Sequence, residues 1–224
     1  MRFLLGFFLI VLVSCTATRS KRPTTLVILG SSTSACTGPK DRDSCYVQRL
    51  RSYYAGAGRN VTIQNLAVGG YDPYHAMPTG WTPPPGRRRP DTAHNLTRAL
   101  ALKPDVLLVN FPSNGYCDYT VTEVMDCFRL MDAQASAAGV RTYFTTTQPR
   151  ETNCYLTSAG KQKLIAINDS LRAQFGGRVI DFFTPVADPA DSSINNYYDS
   201  GDHIHLNNAG HRQLFEAARK GLRF

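Results

Sequence analysis

Leu26-Val27-Ile28-Leu29-Gly30-Ser31-Ser32-Thr33-Ser34 is the stretch on which the fold turns. Unbroken apolar and β-branched residues over 25–29 read as a strand covered on both faces. The run stops at a glycine followed by small hydroxyl residues, which turn the chain sharply. Similar apolar or β-branched runs recur at 61–68, 105–111, 141–147 and 178–183. Helical patterns at 44–55, 92–102, 121–138, 159–175 and 209–222 alternate with them. In the third, Val121, Val124, Met125, Phe128 and Met131 repeat at i, i+3, i+4, i+7 spacing and form one apolar stripe. Near-continuously apolar strands separated by helices predict an α/β domain of about five parallel strands covered on both faces.

Sheets of this kind carry their sites beyond the carboxyl ends of the strands. The small and polar candidates fall there. Residues 30–34 follow the first strand, 65–70 close the second, and Ser113-Asn114-Gly115 follows the third. Asp202-His203-Ile204-His205 comes after the fifth. An acid three residues before a histidine can take the imidazole Nδ1–H and leave Nε2 as a general base. That base can activate a serine, a poor nucleophile until its proton is removed. The expected roles are Ser32 as nucleophile, His205 as base and Asp202 as its orienter. The Ser32 and Gly70 N–H groups and the Asn114 amide would hold the oxyanion. Ser31 is a rival nucleophile, His203 a rival base and Asp199 a rival orienter. His94 and His211, in helical stretches, are expected to be solvated.

Residues 71–89 form the one long irregular stretch, and segments of this length are usually functional or disordered. It is expected to wall the pocket, with Tyr71, Tyr74 and Trp81 offering ring faces to substrate and His75 nearby.

These blocks resemble the SGNH (GDSL-like) hydrolases over nearly the whole chain, 25–221. The first block is Val27-Ile28-Leu29-Gly30-Ser31-Ser32-Thr33 and the second Asn65-Leu66-Ala67-Val68-Gly69-Gly70. The third is Asn110-Phe111-Pro112-Ser113-Asn114 and the fifth Asp202-His203-Ile204-His205. Residues 146–150, Thr-Thr-Gln-Pro-Arg, look like a bacterial lipoprotein branch of that family. The resemblance implies a flavodoxin-like, three-layer α/β/α sandwich and ester hydrolysis with no metal and no cofactor. It favours Ser32 over Ser31. The chain departs from the family twice. Ser31 replaces the Asp that braces the first loop, and Gly115 replaces the Asp after the block-three Asn.

The 224 residues suit one domain with its own core. Hydrophobic residues at 42% and charged residues at 19% exclude wholesale disorder. The net charge of +8 favours anionic partners, but no nucleic-acid signature accompanies it. Residues 1–14 read as a signal peptide too short to span a bilayer. They end Leu12-Val13-Ser14-Cys15, which resembles a bacterial lipobox. That implies lipid attachment at Cys15, a tether over 15–23, the hydrolase domain over 24–224 and a periplasmic or surface protein held on the cell-envelope membrane. A plain secreted protein is the alternative. Of six cysteines, five remain beyond Cys15. Cys36 with Cys45 would clip a loop beside the nucleophile, and Cys117 can pair with Cys127 or Cys154. Their spacing matches no metal site.

The substrate is expected to be a small-molecule or glycan ester, with a lean toward O-acyl groups on carbohydrate. A lipid acyl esterase or lysophospholipase is the enzymatic alternative. A lipoprotein that binds glycans without catalysis is the alternative from another class.

Overall fold

The computed structural model describes residues 22–224. The lipobox, Cys15 and most of the tether lie outside them. β1 (Thr24–Gly30) is an inner strand of a five-stranded sheet of order β2-β1-β3-β4-β5, with β2 (Val61–Asn65), β3 (Val106–Asn110), β4 (Arg141–Thr145) and β5 (Val179–Ile180). All pairings are parallel.

Strand side chains alternate between faces, so β1 feeds two cores at once. Leu26 and Ile28 join Val106 and Leu108 against Tyr46, Val47 and Leu50 of α1 (Tyr46–Gly56) and Leu214 and Ala218 of α5 (Asn208–Gly221). Val27 and Leu29 join Leu107 and Val109 on the opposite face. There they meet α2 (Leu96–Ala101), α3 (Val121–Ala137) and α4 (Ser158–Phe175). The α3 stripe packs as its spacing requires: Val124, Met125, Phe128 and Met131 are buried and Val121 is partly so. Thr120 and Glu123 close its first turn as a reciprocal capping box. The result is the expected three-layer α/β/α sandwich. Among the described residues no helix is long and apolar enough to cross a membrane.

Several boundaries differ from expectation. β2 ends at Asn65 because the Asn65 side chain turns back to accept the Ala67 N–H at 3.1 Å. Beyond it, Leu66 and Val68 still donate to Ile28 and Gly30 of β1, without a regular ladder. α2 starts four residues later than its pattern suggests, where Asn95 caps it by accepting from Arg98 N–H. β5 is only two residues long, since the Asp181 carboxylate draws the Phe183 and Thr184 N–H groups into a turn.

Residues 71–89 are more ordered than an irregular loop. Asp72 caps a short 3-10 turn, Pro73–Ala76, and Tyr74, Ala76 and Met77 insert into the α2–α3 core. Cys36 is bonded to Cys45 and Cys117 to Cys154, leaving Cys127 as a buried thiol.

Candidate active site

From β1 the chain runs outward to β2, then crosses back to β3, so strand order reverses between β1 and β3. Open α/β sheets bind their ligands at such a switch point. Ser32 leaves β1 there, and Asn114 lies four residues beyond β3.

Polar bonds at the strand ends fix the Ser32 loop. A Cβ on Gly30 would come within 2.7 Å of the Asn110 carbonyl oxygen, so only glycine fits this approach. Ser31 N–H donates to that oxygen, and the Ser34 hydroxyl donates to Asn110 Oδ1 at 2.7 Å. Asn65 Nδ2 donates to the Ser34 carbonyl, and Asn110 Nδ2 to the Thr145 hydroxyl. Four strands thus hold one turn. Ser31 is 0% exposed and its hydroxyl has no hydrogen-bond partner, whereas Ser32 is partly open. Of the two serines, only Ser32 reaches the surface.

The acid–histidine pair is formed. The His205 Nδ1–H donates to Asp202 Oδ2 at 2.6 Å, with the histidine side chain 17% exposed and the aspartate 47%. Partial burial pulls the Asp202 carboxyl upward. The opposing pull of the His205 ring and of the His205 and Ile204 N–H groups is greater and holds it well below the ordinary carboxylate range. Asp199 is committed elsewhere: its carboxylate takes the His203 ring and the Gly201 and His203 N–H groups.

The loops bearing Ser32 and His205 touch. A Cβ on Gly38 would meet His205 Cβ, and Lys40 N–H donates to Asn208 Oδ1 at 3.0 Å. Among the described residues no hydrogen bond joins Ser32 to His205.

Gly70 adopts φ +82°, a left-handed conformation natural to glycine, with open space where a side chain would be. Asn114 is held at both ends. Its Nδ2 donates to the Tyr71 carbonyl at 3.0 Å, and its Oδ1 accepts from Arg150 Nη1 at 3.2 Å. Gly115, where the family carries Asp, has φ +80°, and a Cβ there would lie 2.3 Å from the Tyr119 ring. A carboxylate side chain has no room at that position.

The GDSL-like lipase/acylhydrolase family model matches residues 28–213, most of the chain. The chain belongs to this family. As an acylhydrolase it is a hydrolase acting on esters. No curated protein matches it in sequence. Its fold is shared with solved structures. The esterase EstA from a Pseudoalteromonas species, inhibited by monoethylphosphonate, is 16% identical over 88% of this chain and 96% of that one, with a TM-score of 0.60. A lipolytic G-D-S-L protein from Desulfitobacterium hafniense is 12% identical over 89% and 99%, with a TM-score of 0.66. A two-domain esterase active on acetylated mannans is 12% identical over 89% of this chain but only 48% of its own, with a TM-score of 0.59.

Beside the acylhydrolase's Gly70 and Asn114 opens a cavity of about 1060 Å³, walled also by Tyr71, Arg87, Arg88 and Arg150. Neither Ser32 nor His205 belongs to that wall. Of the three aromatic residues expected to face substrate, Tyr71 alone lines it. Tyr74 is buried and stacks on Trp81 at 5.7 Å, which packs on the core, so these two rings serve the fold. His75 stacks on Tyr71 at 4.2 Å in the cavity wall. His211 is fully buried rather than solvated, because its ring bonds the Tyr46 N–H and the Thr37 carbonyl. Among the described residues no group of three or more His, Cys, Asp or Glu gathers as a metal-ligand set. Arg150 escaped the sequence reading as a site residue. The signal that would have found it is position: it follows β4 on the same edge as the other blocks.

Proposed function

We propose that this acylhydrolase is a serine esterase acting on O-acyl groups of carbohydrates. Ser32 attacks the ester carbonyl as His205 Nε2 accepts its proton, and Asp202 holds the imidazole in the required tautomer. The oxyanion takes hydrogen bonds from the N–H groups of Ser32 and Gly70 and from Asn114 Nδ2. His205 then gives its proton to the leaving alcohol, and water repeats the sequence to free the acid. The Asp202–His205 hydrogen bond, on a loop packed against that of Ser32, carries this reading. Catalytic bonds of apo enzymes commonly tighten only in the substrate complex, which is where the Ser32–His205 bond is expected.

The cavity supports a polar substrate. Its wall consists of glycines, hydroxyl, amide and charged side chains, histidine, a disulfide cysteine and three tyrosines, with no aliphatic or phenylalanine side chain. A long acyl chain would bury little there. The neighbour active on acetylated mannans is consistent with the lean to sugars.

Incubation with a fluorophosphonate probe tests the nucleophile: an adduct on Ser32, and loss of p-nitrophenyl acetate hydrolysis in Ser32→Ala, are expected. Absence of any adduct, with tight glycan binding retained, would favour a non-catalytic binder. A palmitoyl ester cleaved faster than an acetyl ester would favour a lipid acyl esterase. The same proposal places the enzyme on the cell-envelope membrane through lipid on Cys15. Detergent-phase partitioning that Cys15→Ala abolishes is the expected behaviour, and partitioning of the wild-type protein into the aqueous phase would refute it.

A further inference from the structure

Arg150 holds a charge that the fold does not neutralise. Its Nε donates to Thr152 Oγ1 at 2.6 Å, and its Nη1 to Asn114 Oδ1 at 3.2 Å and Ser113 Oγ at 3.4 Å. Every one of these acceptors is neutral. Among the described residues no carboxylate lies within 4.0 Å of the guanidinium, and Nη2 makes no hydrogen bond. At longer range it feels Tyr155, whose ring centroid lies 5.6 Å from Cζ, and then Asp202, which is committed to His205. The group is half-buried, and burial draws its pKa down from its ordinary value while it stays charged.

A half-buried cation without a counter-ion is costly to keep. Neither of the two acids on the cavity wall, Asp72 and Asp118, is ion-paired with it. Asp72 is buried, with its carboxylate bonded by the Tyr119 hydroxyl and the Tyr74 N–H, and Asp118 is exposed at the surface. Arg87 is answered by Glu123 and lies over the Tyr119 ring. Arg88 is exposed on the wall and, among the described residues, has no ion-pair partner. The open Nη2 end of the guanidinium therefore faces a cavity whose wall carries a second unpaired cation, Arg88, and one exposed carboxylate, Asp118.

We propose that Arg150 is a specificity residue that receives an anionic group, carboxylate or phosphate, carried by the ester substrate beside its scissile carbonyl. The proposal rests on the esterase reading and narrows its substrate class to acidic esters. The unused Nη2 N–H groups can give either anion a charge-assisted hydrogen bond without breaking the bonds to Thr152, Asn114 and Ser113. Its contact with Asn114 puts the anion site next to the oxyanion site, so recognition and reaction occur on one bound molecule. Arg150 also steadies the Asn114 amide. That positioning role would slow neutral and charged esters alike, which separates the two contributions.

The test uses matched pairs: acetylated methyl glucuronoside with its carboxylate free against acetylated methyl glucoside, and acetylglycerol phosphate against acetylglycerol. The wild-type enzyme is expected to prefer the charged member of at least one pair by about tenfold or more in kcat/KM, the scale of a charge-assisted hydrogen bond. Which pair shows it identifies the carboxylate or the phosphate as the natural anion. In Arg150→Gln the preference should fall to roughly threefold or less, and in wild type it should shrink with added salt. The proposal is overturned if wild type cleaves the neutral members at least as fast. Equal slowing of both members by Arg150→Gln overturns it too. Should no ester be turned over, the esterase reading fails by itself. Calorimetric titration of the same four compounds then decides the anion site, with tighter binding of a charged member lost in Arg150→Gln supporting it and equal binding refuting it.

Discussion

Gly38 lies directly against His205: a side-chain carbon on residue 38 would sit 2.9 Å from His205 Cβ and 2.3 Å from the Leu206 carbonyl oxygen. Its φ of +107° is also one that a side chain tolerates poorly. Gly38→Ala must therefore push the histidine loop away from the serine loop. Misplacing a catalytic group by about 1 Å costs on the order of 10²-fold, and a loss of that size in kcat/KM is expected. Gly58→Ala is the control. Its φ is also positive, but open space surrounds it, so about 1 kcal/mol of stability should be lost with little change in activity. Equal activity in the Gly38 variant and wild type would remove His205 from the mechanism.

Two Asp–His pairs stand side by side, Asp202–His205 and Asp199–His203, and only the first is assigned to catalysis. The amide of Asp202→Asn can no longer hold the imidazole in the needed tautomer, and kcat should fall on the order of 10⁴-fold. The His203 side chain is 58% exposed, and His203→Ala should stay within about tenfold of wild type, the range of a loop adjustment. Steady-state hydrolysis of p-nitrophenyl acetate separates the two, and the reverse ranking would reassign the base.

How much of this was legible in the sequence follows from the range of each interaction. β1 and the α3 stripe could be read because burial imposes a local period, and the small residues after each strand mark the site edge through topology alone. The Cys36–Cys45 closure could be read because the pair is close in sequence. Tertiary partners were not legible. His211 sits on a helix whose pattern suggests exposure, yet Thr37 and Tyr46, far away in sequence, enclose it. Tyr74 and Trp81 looked like substrate platforms because nothing local shows that a capped turn carries Tyr74 to Glu123 of α3 and that Trp81 stacks on Tyr74. Arg150 gained meaning only when its neighbours proved neutral.

Ser31 carries a buried hydroxyl with no partner where the family places a bracing Asp. An unsatisfied buried polar group costs roughly 1–3 kcal/mol. Ser31→Ala should thus be no less stable than wild type and keep its esterase activity, while Ser32→Ala should lose it by about 10⁴-fold or more. Urea unfolding and p-nitrophenyl acetate kinetics on both variants suffice. If Ser31→Ala were the inactive one, the nucleophile would be the other serine.

The Cys117–Cys154 bond joins the loop after β3, which bears Asn114, to the loop after β4, which bears Arg150. It closes a sequence separation of 37 residues, against 9 for Cys36–Cys45. Chain entropy then assigns it roughly 3–4 kcal/mol, about 1 kcal/mol more than the shorter loop. A Cys117→Ser, Cys154→Ser double variant should show that loss in urea unfolding. It should also blunt the preference for charged esters, since the Asn114 and Arg150 loops are no longer tied. Stability equal to wild type would mean that the two loops are held by packing alone.

His211 ties folding to pH. Its ring is 0% exposed, with Nδ1 accepting from Tyr46 N–H and Nε2–H donating to the Thr37 carbonyl, both at 3.3 Å. Burial draws its pKa down from 6.5 to about 4; the Thr37 bond opposes this and the charges of His205 and Arg49 add to it. In the unfolded chain the imidazole takes a proton near pH 6.5, so between there and about 4 the unfolded state binds more protons. Stability from this group is therefore complete above pH 6.5 and lost as pH falls, by up to about 1.4 kcal/mol per pH unit. The depressed carboxyl of Asp202 acts only further into acid, because its contribution is lost below the ordinary carboxylate range. Urea unfolding at pH 7 and pH 5 should show wild type weakening by up to about 2 kcal/mol relative to His211→Gln, whose side chain cannot titrate. Parallel pH dependence in the two proteins would show that the ring is protonated without cost in the folded state.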